Sequence, residues 1–382
     1  MITKILPAVR GYERHIVTTI QELVECESPT DDPKAVNRFV ETVADRLSGV
    51  ASIQTFAGGK FGKHARMVFR MPGPRKKTPG RILALGHSDT VWPMGTLATM
   101  PCKVKDGRIW GPGSYDMKAG IAFFLYALRV LRDLDIPVTR EVMLQLNSDE
   151  EVGSDSSRPL TEDAARGSRA VLVLEPSAGL AGKLKTARKG VGDYRVTVQG
   201  KAAHSGVDFG AGASAILEMG RQLERIATFT NLERGITVNP GVIQGGTRSN
   251  VIAAECTCEV DVRIPRARNA EYVAKKFATL RPFDKRCSLH VEGGINRPPM
   301  ERSAGVRELF RNATTIAGQL GFTLEESATG GGSDGNFTAA LGVPTLDGLG
   351  AVGEGAHAPH ESVLLSCIVP RTALLAGLVA TL

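Results

Sequence analysis

The chain has 382 residues, 42% hydrophobic and 23% charged, a composition that excludes a disordered or fibrous protein and a length that calls for two domains. A net charge of +7 raises the question of nucleic acid. However, the only compact basic cluster, Arg75-Lys76-Lys77 between Pro74 and Pro79, reads as a solvated turn, and a mild positive field suits an anionic small substrate at least as well. No apolar run approaches the ~18 residues of a membrane span, Met1 to Arg10 has no signal-peptide core, and the six cysteines include no C-x-x-C pair. A cytoplasmic protein with reduced, mostly buried thiols, no membrane partner and no nucleic-acid partner is expected.

In chain order, apolar spacing predicts helices over Glu13 to Glu27 and Lys34 to Leu47, separated by a breaker, Ser28 to Pro33. A strand is expected near Ala65 to Arg70. Arg81 to Leu85 is a continuous apolar run of the buried-strand kind, and it delivers Gly86-His87-Ser88-Asp89. His87 and Asp89 share a face in extended chain, where a carboxylate can hold an imidazole by its second nitrogen; a plain turn histidine is the alternative. Gly111 to Gly120 is a glycine-punctuated loop entering an apolar helix, Met117 to Leu134. Its Asp116 stands either as a helix cap or as a carboxylate bridging two metal ions.

The strand Val142 to Leu146 then runs into Asn147-Ser148-Asp149-Glu150-Glu151-Val152-Gly153-Ser154. Adjacent carboxylates raise one another's pKa, so such a cluster is kept only where water or a cation relieves it. A further buried strand, Ser168 to Leu174, ends in Glu175-Pro176. Strands and helices alternate from about 81 to 176, which argues a largely parallel sheet with helices on both faces. Ligands bind outside the carboxyl ends of such strands. His87, Glu150, Glu151 and Glu175 all fall there, with Asp116 on a loop that reaches the same rim.

From Gly190 the pattern changes. Asp193 to Gln199 alternates, Lys201-Ala202-Ala203-His204-Ser205-Gly206 follows, Ala213 to Phe229 is an amphipathic helix, and Val251 to Pro265 alternates over its whole length. Asn269 to Leu280 reads as helix and Cys287 to Val291 as strand. This is an antiparallel α+β layer with one wet face, a separate unit at about 189–299. The first pattern then returns with a helix over Ser303 to Leu320. Thr329 to Gly335 precedes a short helix, Asn336 to Leu341; it lacks the G-K-[ST] of a P-loop, but bare N–H groups at a helix start suit a carboxylate as well as a flexible turn. Gly353 to Glu361 carries His357 and His360, and a last amphipathic helix runs to Leu382.

G-H-x-D-T-V, G-P-G-x-x-D-M-K, N-x-D-E-E-x-G-S, a strand-final E-P and a late G-x-H-A-x-x-E occur in that order over essentially the whole chain. This resembles the dizinc aminoacylase and carboxypeptidase family that includes glutamate carboxypeptidase of the carboxypeptidase G type, succinyl-diaminopimelate desuccinylase and peptidase T. The resemblance implies a catalytic domain (1–188 and 300–382) carrying an inserted, ferredoxin-like lid and dimerisation domain (189–299). It implies two zinc ions, with cobalt or manganese as substitutes, held by His87, Asp116, Glu151, Glu175 and His357, with Asp116 bridging and followed by a cis peptide. His357 matches the family motif and is expected as the ligand rather than His360. Glu150 is implied as general base, Asp89 as the residue that orients His87, and His204 as an oxyanion donor reaching across a homodimer. Asn250 and Arg263 match positions that grip a substrate carboxylate, with Arg297 a weaker candidate and Gly331 and Gly332 on the glycine loop; Arg263 has the alternative of pairing with Asp261 or Glu259.

The expected reaction is hydrolysis of the amide bond of an N-acyl or C-terminal amino acid, an anionic substrate, with release of glutamate or aspartate. An N-acetyl or N-succinyl amino-acid deacylase or a dipeptidase is the alternative within the family. A catalytically inactive binding protein is the alternative outside it, and the intact set of Glu150 and five ligands argues against that.

Overall fold

The structure is a computed structural model that describes residues 2–382, and these divide into two compact units. One runs to Ala187 and resumes over Arg302–Thr329 and Ser333–Leu382; the other comprises Arg188–Glu301 and Gly330–Gly332.

The first unit is built on a six-stranded sheet in the spatial order Ala51–Phe56, His64–Phe69, Val142–Asn147, Arg81–His87, Ser168–Val173, Thr345–Leu346. The last four strands run parallel and the first two are antiparallel to their neighbours. Its continuous apolar runs have a simple cause. Ile82, Ala84, Leu144 and Leu172 enter one buried cluster while Leu83, Leu85, Met143 and Val171 enter another, so both faces of the sheet are covered. Helices Ile2–Gly11, Glu13–Glu25, Pro33–Asp45, Ala119–Asp133, Ala304–Leu320 and Ile368–Thr381 contribute to the larger cluster, and Arg158–Ala165 to the smaller. Three helix starts are capped by side chains: Asp32 accepts from Lys34 and Ala35 N–H, and Ser303 from Val306 N–H in this unit, while Ser214 accepts from Leu217 N–H in the other.

One expectation is corrected. The last helix is not amphipathic: nearly every residue from Ile368 to Val379 is buried, which is the fate of a helix apolar all round. Lys103–Lys105, Arg108–Trp110, Ser362–Leu364 and Gly353–Glu354 form a small antiparallel sheet for which the sequence carried no expectation.

The second unit has the element order strand, helix, strand, strand, helix, strand, and all neighbouring strands are antiparallel. The sheet order is Thr237–Gly245, Glu255–Ile264, Gly190–Gln199, Ser288–Arg297, the split arrangement of ferredoxin-like folds. Val196, Val198, Cys256, Cys258, Val260 and Val262 meet Met219 and Ile226 of helix Ala215–Ala227 and Val273 and Phe277 of helix Arg268–Ala278. Tyr194 stacks on Phe277 with ring centroids 3.9 Å apart. Alternate residues Asp193, Arg195, Glu259, Asp261 and Arg263 form the polar face. The long alternating run begins as strand only at Glu255, because Val251 instead bridges to His204. No helix among the described residues is long and apolar enough to cross a membrane.

Candidate active site

Parallel register sets the site. His87 lies directly opposite Asn147 on the neighbouring strand, so the turn carrying Glu150 and Glu151 and the exit carrying His87 leave the sheet side by side. Leu174 N–H donates to Leu85 O, which brings Glu175 to the same rim. His87 is 2% exposed. Its Nδ1 lies 2.9 Å from the Asp89 carbonyl oxygen, and its Nε2 lies 3.2 Å from Asp116 Oδ1 and 3.6 Å from Glu175 Oε1. A proton on Nδ1, donated to that carbonyl, leaves the Nε2 lone pair facing the carboxylates. Across Asp116, whose Oδ2 is 3.5 Å from His357 Nε2, that second imidazole also meets Glu151 Oε2 at 3.2 Å. Asp116 therefore stands between two histidines. It sits in an interrupted turn at the start of helix Ala119–Asp133, with non-helical φ −114°, ψ 94°, and the Asp116–Met117 peptide is cis. His357 adopts a left-handed φ of +61°, which bends it back from the strand Gly353–Glu354.

Two overlapping groups, His87–Asp116–Glu151 and His87–Glu150–Glu175, each hold one donor atom per residue within 4.8 Å of the others. The buried Glu151 Oε1 has no hydrogen-bond partner among the described residues. Imidazole nitrogens and carboxylate oxygens are the donors zinc takes, and a buried carboxylate oxygen with no donor is an unsatisfied charge. The donor set thus fits divalent cations. The electrostatics have the same sign. Burial would lower His87, yet its hydrogen bonds with Asp116 and Asp89 carry it well above the usual histidine range. Hydrogen bonding to Asp116 and Glu151 pushes His357 up to about 10. Burial opposes charge on Asp116, and the two imidazoles overcome it and hold the carboxyl far below the usual range. Burial pushes Glu151 up to about 7. These carboxylates call for positive charge among them.

Asp89 does more than the sequence suggests. It faces His87 chiefly through its backbone carbonyl, and its carboxylate accepts from Thr30 Oγ1 (2.9 Å) and from the N–H groups of Glu150 and Glu151 (3.3 Å each). It holds the acidic turn as well as the imidazole. His357 and His360 are both exposed and neither is in the two groups, but it is His357 that meets Asp116 and Glu151.

In the second unit, His204 and Asn250 lie on one edge: Ser205 N–H donates to Asn250 O and His204 bridges Val251. The exposed His204 ring accepts at Nδ1 from Gly206 N–H (3.1 Å), which puts its proton on Nε2. Arg263 takes the alternative pairing that the sequence offered. Its guanidinium makes a two-pronged pair with Asp261, at 2.9 and 2.7 Å, because residues two apart share one strand face. On the glycine loop, the carbonyls of Gly331 and Gly332 accept from Arg188, at 3.2 and 3.0 Å, beside the buried Arg297. At the helix start, Ser333 N–H is taken by Asn336 Oδ1 and Gly335 N–H by Ser333 Oγ, so these two donors are not bare.

Sequence reasoning missed three supports. Asn147 Nδ2 and Ser154 Oγ both donate to the buried Asp334, each at 2.5 Å, clamping the two ends of the acidic turn. His64 Nδ1 accepts from Ser148 N–H at 3.1 Å beneath it. Glu361 accepts from Trp92 Nε1 and from Gly113, Tyr115 and Asp116 N–H; it closes the late motif, which was the one available signal.

Residues 83–381 match the model of peptidase family M20/M25/M40. The chain belongs to this family. Among its relatives is carboxypeptidase G2 of Pseudomonas sp. (strain RS-16), 30% identical over 370 residues that cover 95% of this chain and 88% of that protein. A succinyl-diaminopimelate desuccinylase of Roseobacter denitrificans is 28% identical over 92% of this chain and 94% of its own. Of solved structures, aminopeptidase PepT from Bacillus cereus ATCC 10987 superposes with a TM-score of 0.78 at 22% identity, covering 96% of this chain and 98% of that one, a likeness of fold. M20 peptidases are hydrolases with a dinuclear metal centre, typically zinc.

Proposed function

We propose that this M20 peptidase is a dizinc carboxypeptidase that hydrolyses the amide bond of an N-acyl or C-terminal acidic amino acid. The observation that carries the reading is Asp116 between His87 Nε2 and His357 Nε2, at 3.2 and 3.5 Å. His87, Asp116, Glu151, Glu175 and His357 would hold the two ions. When bound, the two ions polarise the scissile carbonyl and acidify water at the site. Glu150, grouped with His87 and Glu175 on the rim, accepts the proton of the attacking water and returns it to the leaving amine. Asp89 keeps both Glu150 and His87 in place. Cleavage at a C-terminal residue is supported by the carboxypeptidase relative, and a preference for glutamate or aspartate by the net charge of +7, not by Arg263, which Asp261 engages.

The second unit serves as lid and homodimerisation domain in this reading. Its outermost strand, Thr237–Gly245, has one unpaired edge with Val242 and Ile243 exposed, and helix Ala215–Ala227 exposes Ile216 and Leu217. His204, with its proton on Nε2, then donates to the oxyanion in the other subunit's centre. A zinc-loaded assay on N-acyl-glutamate, N-acyl-alanine and N-acyl-lysine tests the reaction. Faster release of glutamate is expected; equal turnover of all three removes the acidic preference, and no turnover of any amide removes the function.

A further inference from the structure

Glu361 is fully buried and its carboxylate receives four N–H donors, two on each oxygen. Oε1 accepts from Tyr115 N–H at 2.9 Å and Asp116 N–H at 3.0 Å; Oε2 accepts from Gly113 N–H at 3.0 Å and Trp92 Nε1 at 2.7 Å. With both oxygens occupied, this carboxylate is not placed to bind a metal itself. It reaches every part of the histidine–aspartate cluster through the chain. Trp92 lies five residues beyond His87 on the same strand exit. Gly113, Tyr115 and Asp116 form the interrupted turn that presents the bridging carboxylate. Glu361 itself follows His357 by four residues, through a turn closed by Glu361 N–H to Ala358 O and Ala358 N–H to Gly355 O, each 2.9 Å. The turn departs from helical φ and ψ at Asp116 and Met117, and the N–H groups of Gly113, Tyr115 and Asp116 are satisfied by the Glu361 side chain.

We propose that Glu361 is a positioning residue for the metal centre, fixing the separation of His87, Asp116 and His357 by tying their three segments to one carboxylate. The inference rests on the dinuclear reading of that cluster. A glutamine at 361 has nearly the same shape but turns an NH2 group toward two N–H donors, so two of the four hydrogen bonds are replaced by repulsion. The ligands remain, and what changes is their spacing. Loss of such an outer partner typically weakens metal binding by about 10- to 100-fold.

The test is the zinc affinity of the full chain, measured with zinc alone by competition against a chromophoric chelator, alongside thermal unfolding of the metal-free protein. Wild type is expected to take up two zinc ions. Glu361→Gln is expected to bind at least one of them about 10- to 100-fold more weakly, Glu361→Asp to recover part of that loss, and Trp92→Phe, which removes one donor of four, to lose several-fold. Should Glu361→Gln fail to fold, the Trp92→Phe titration decides alone. Unchanged zinc affinity in the folded variants, with only a lowered melting temperature, overturns the proposal and leaves Glu361 a structural acid. A wild type that binds no zinc overturns the dinuclear reading itself, a different and separately visible result.

Discussion

Glu150 sets the first expectation at the scale of single residues. It sits on the rim with His87 and Glu175 yet outside the His87–Asp116–His357 row, so Glu150→Ala should lower kcat by about 10²- to 10⁴-fold, the usual worth of a general base, while zinc stoichiometry stays at the wild-type value. Loss of zinc together with activity would instead make it a ligand. His64 offers a pH experiment. Its Nδ1 accepts from Ser148 N–H, so the native ring is neutral, and burial lowers its pKa below the ordinary 6.5. The unfolded chain binds a proton there below about pH 6.5 and the native chain does not, so stability falls as the pH drops from 7 towards 5. Urea midpoints at pH 7.5, 6 and 5 should fall less steeply in His64→Gln than in wild type; parallel slopes would mean that His64 is protonated in the fold. The candidate metal-holding groups His87, Glu151 and Glu175 stood out in the sequence because each ends or follows an apolar strand, where a charged residue has few ordinary reasons to stand, and the structure brings donor atoms of all three to one rim. His64, Asp334 and Glu361 did not stand out, because their partners lie 84, 187 and 245 residues away, and nothing in local composition marks them.

The acidic turn is the element on which the chemistry depends, and a buried polar network holds it. Gln145 and Asn147 meet Thr161, and Asn147 and Ser154 converge on Asp334 at the start of the helix Gly335–Ala340. Asp334→Ala removes the acceptor of an Asn147 amide hydrogen and of the Ser154 hydroxyl, each loss costing ~1–3 kcal/mol. A loss on the order of 3 kcal/mol in urea unfolding is therefore expected, together with a fall in kcat as Glu150 and Glu151 shift. A variant with wild-type stability would show that the turn holds itself. The parallel strands of this unit were legible because a sheet covered on both faces writes unbroken apolar runs. The strands Ala51–Phe56 and Thr237–Gly245 were not. Both lie at a sheet edge, where most residues of each are exposed and no apolar run forms. The small sheet around Arg108–Trp110 escaped for a different reason: its strands are two or three residues long, and the pairing that joins its two halves spans some 250 residues of chain.

For the whole molecule the question is whether one subunit completes another. His204 carries its proton on Nε2 and stands exposed beside Asn250, and the same unit presents Ile216, Leu217, Val242 and Ile243 to solvent. If His204 serves the other subunit's centre, Glu150→Ala and His204→Ala proteins are each inactive alone and rescue one another when mixed. In the hybrid dimer, the subunit that keeps Glu150 receives the intact His204 of the partner subunit, while the other centre lacks both. Random exchange makes half the dimers hybrid with one working centre in two, so activity should recover to about a quarter of wild type, as two-fold symmetry requires. A histidine acting within its own subunit gives no recovery, because every subunit then carries one defect. Leu217→Glu places a charge in the exposed apolar patch and should yield monomers by light scattering, with activity lost even though Glu150 and the five candidate ligands are untouched. A monomer with full activity would mean that each centre is complete on its own.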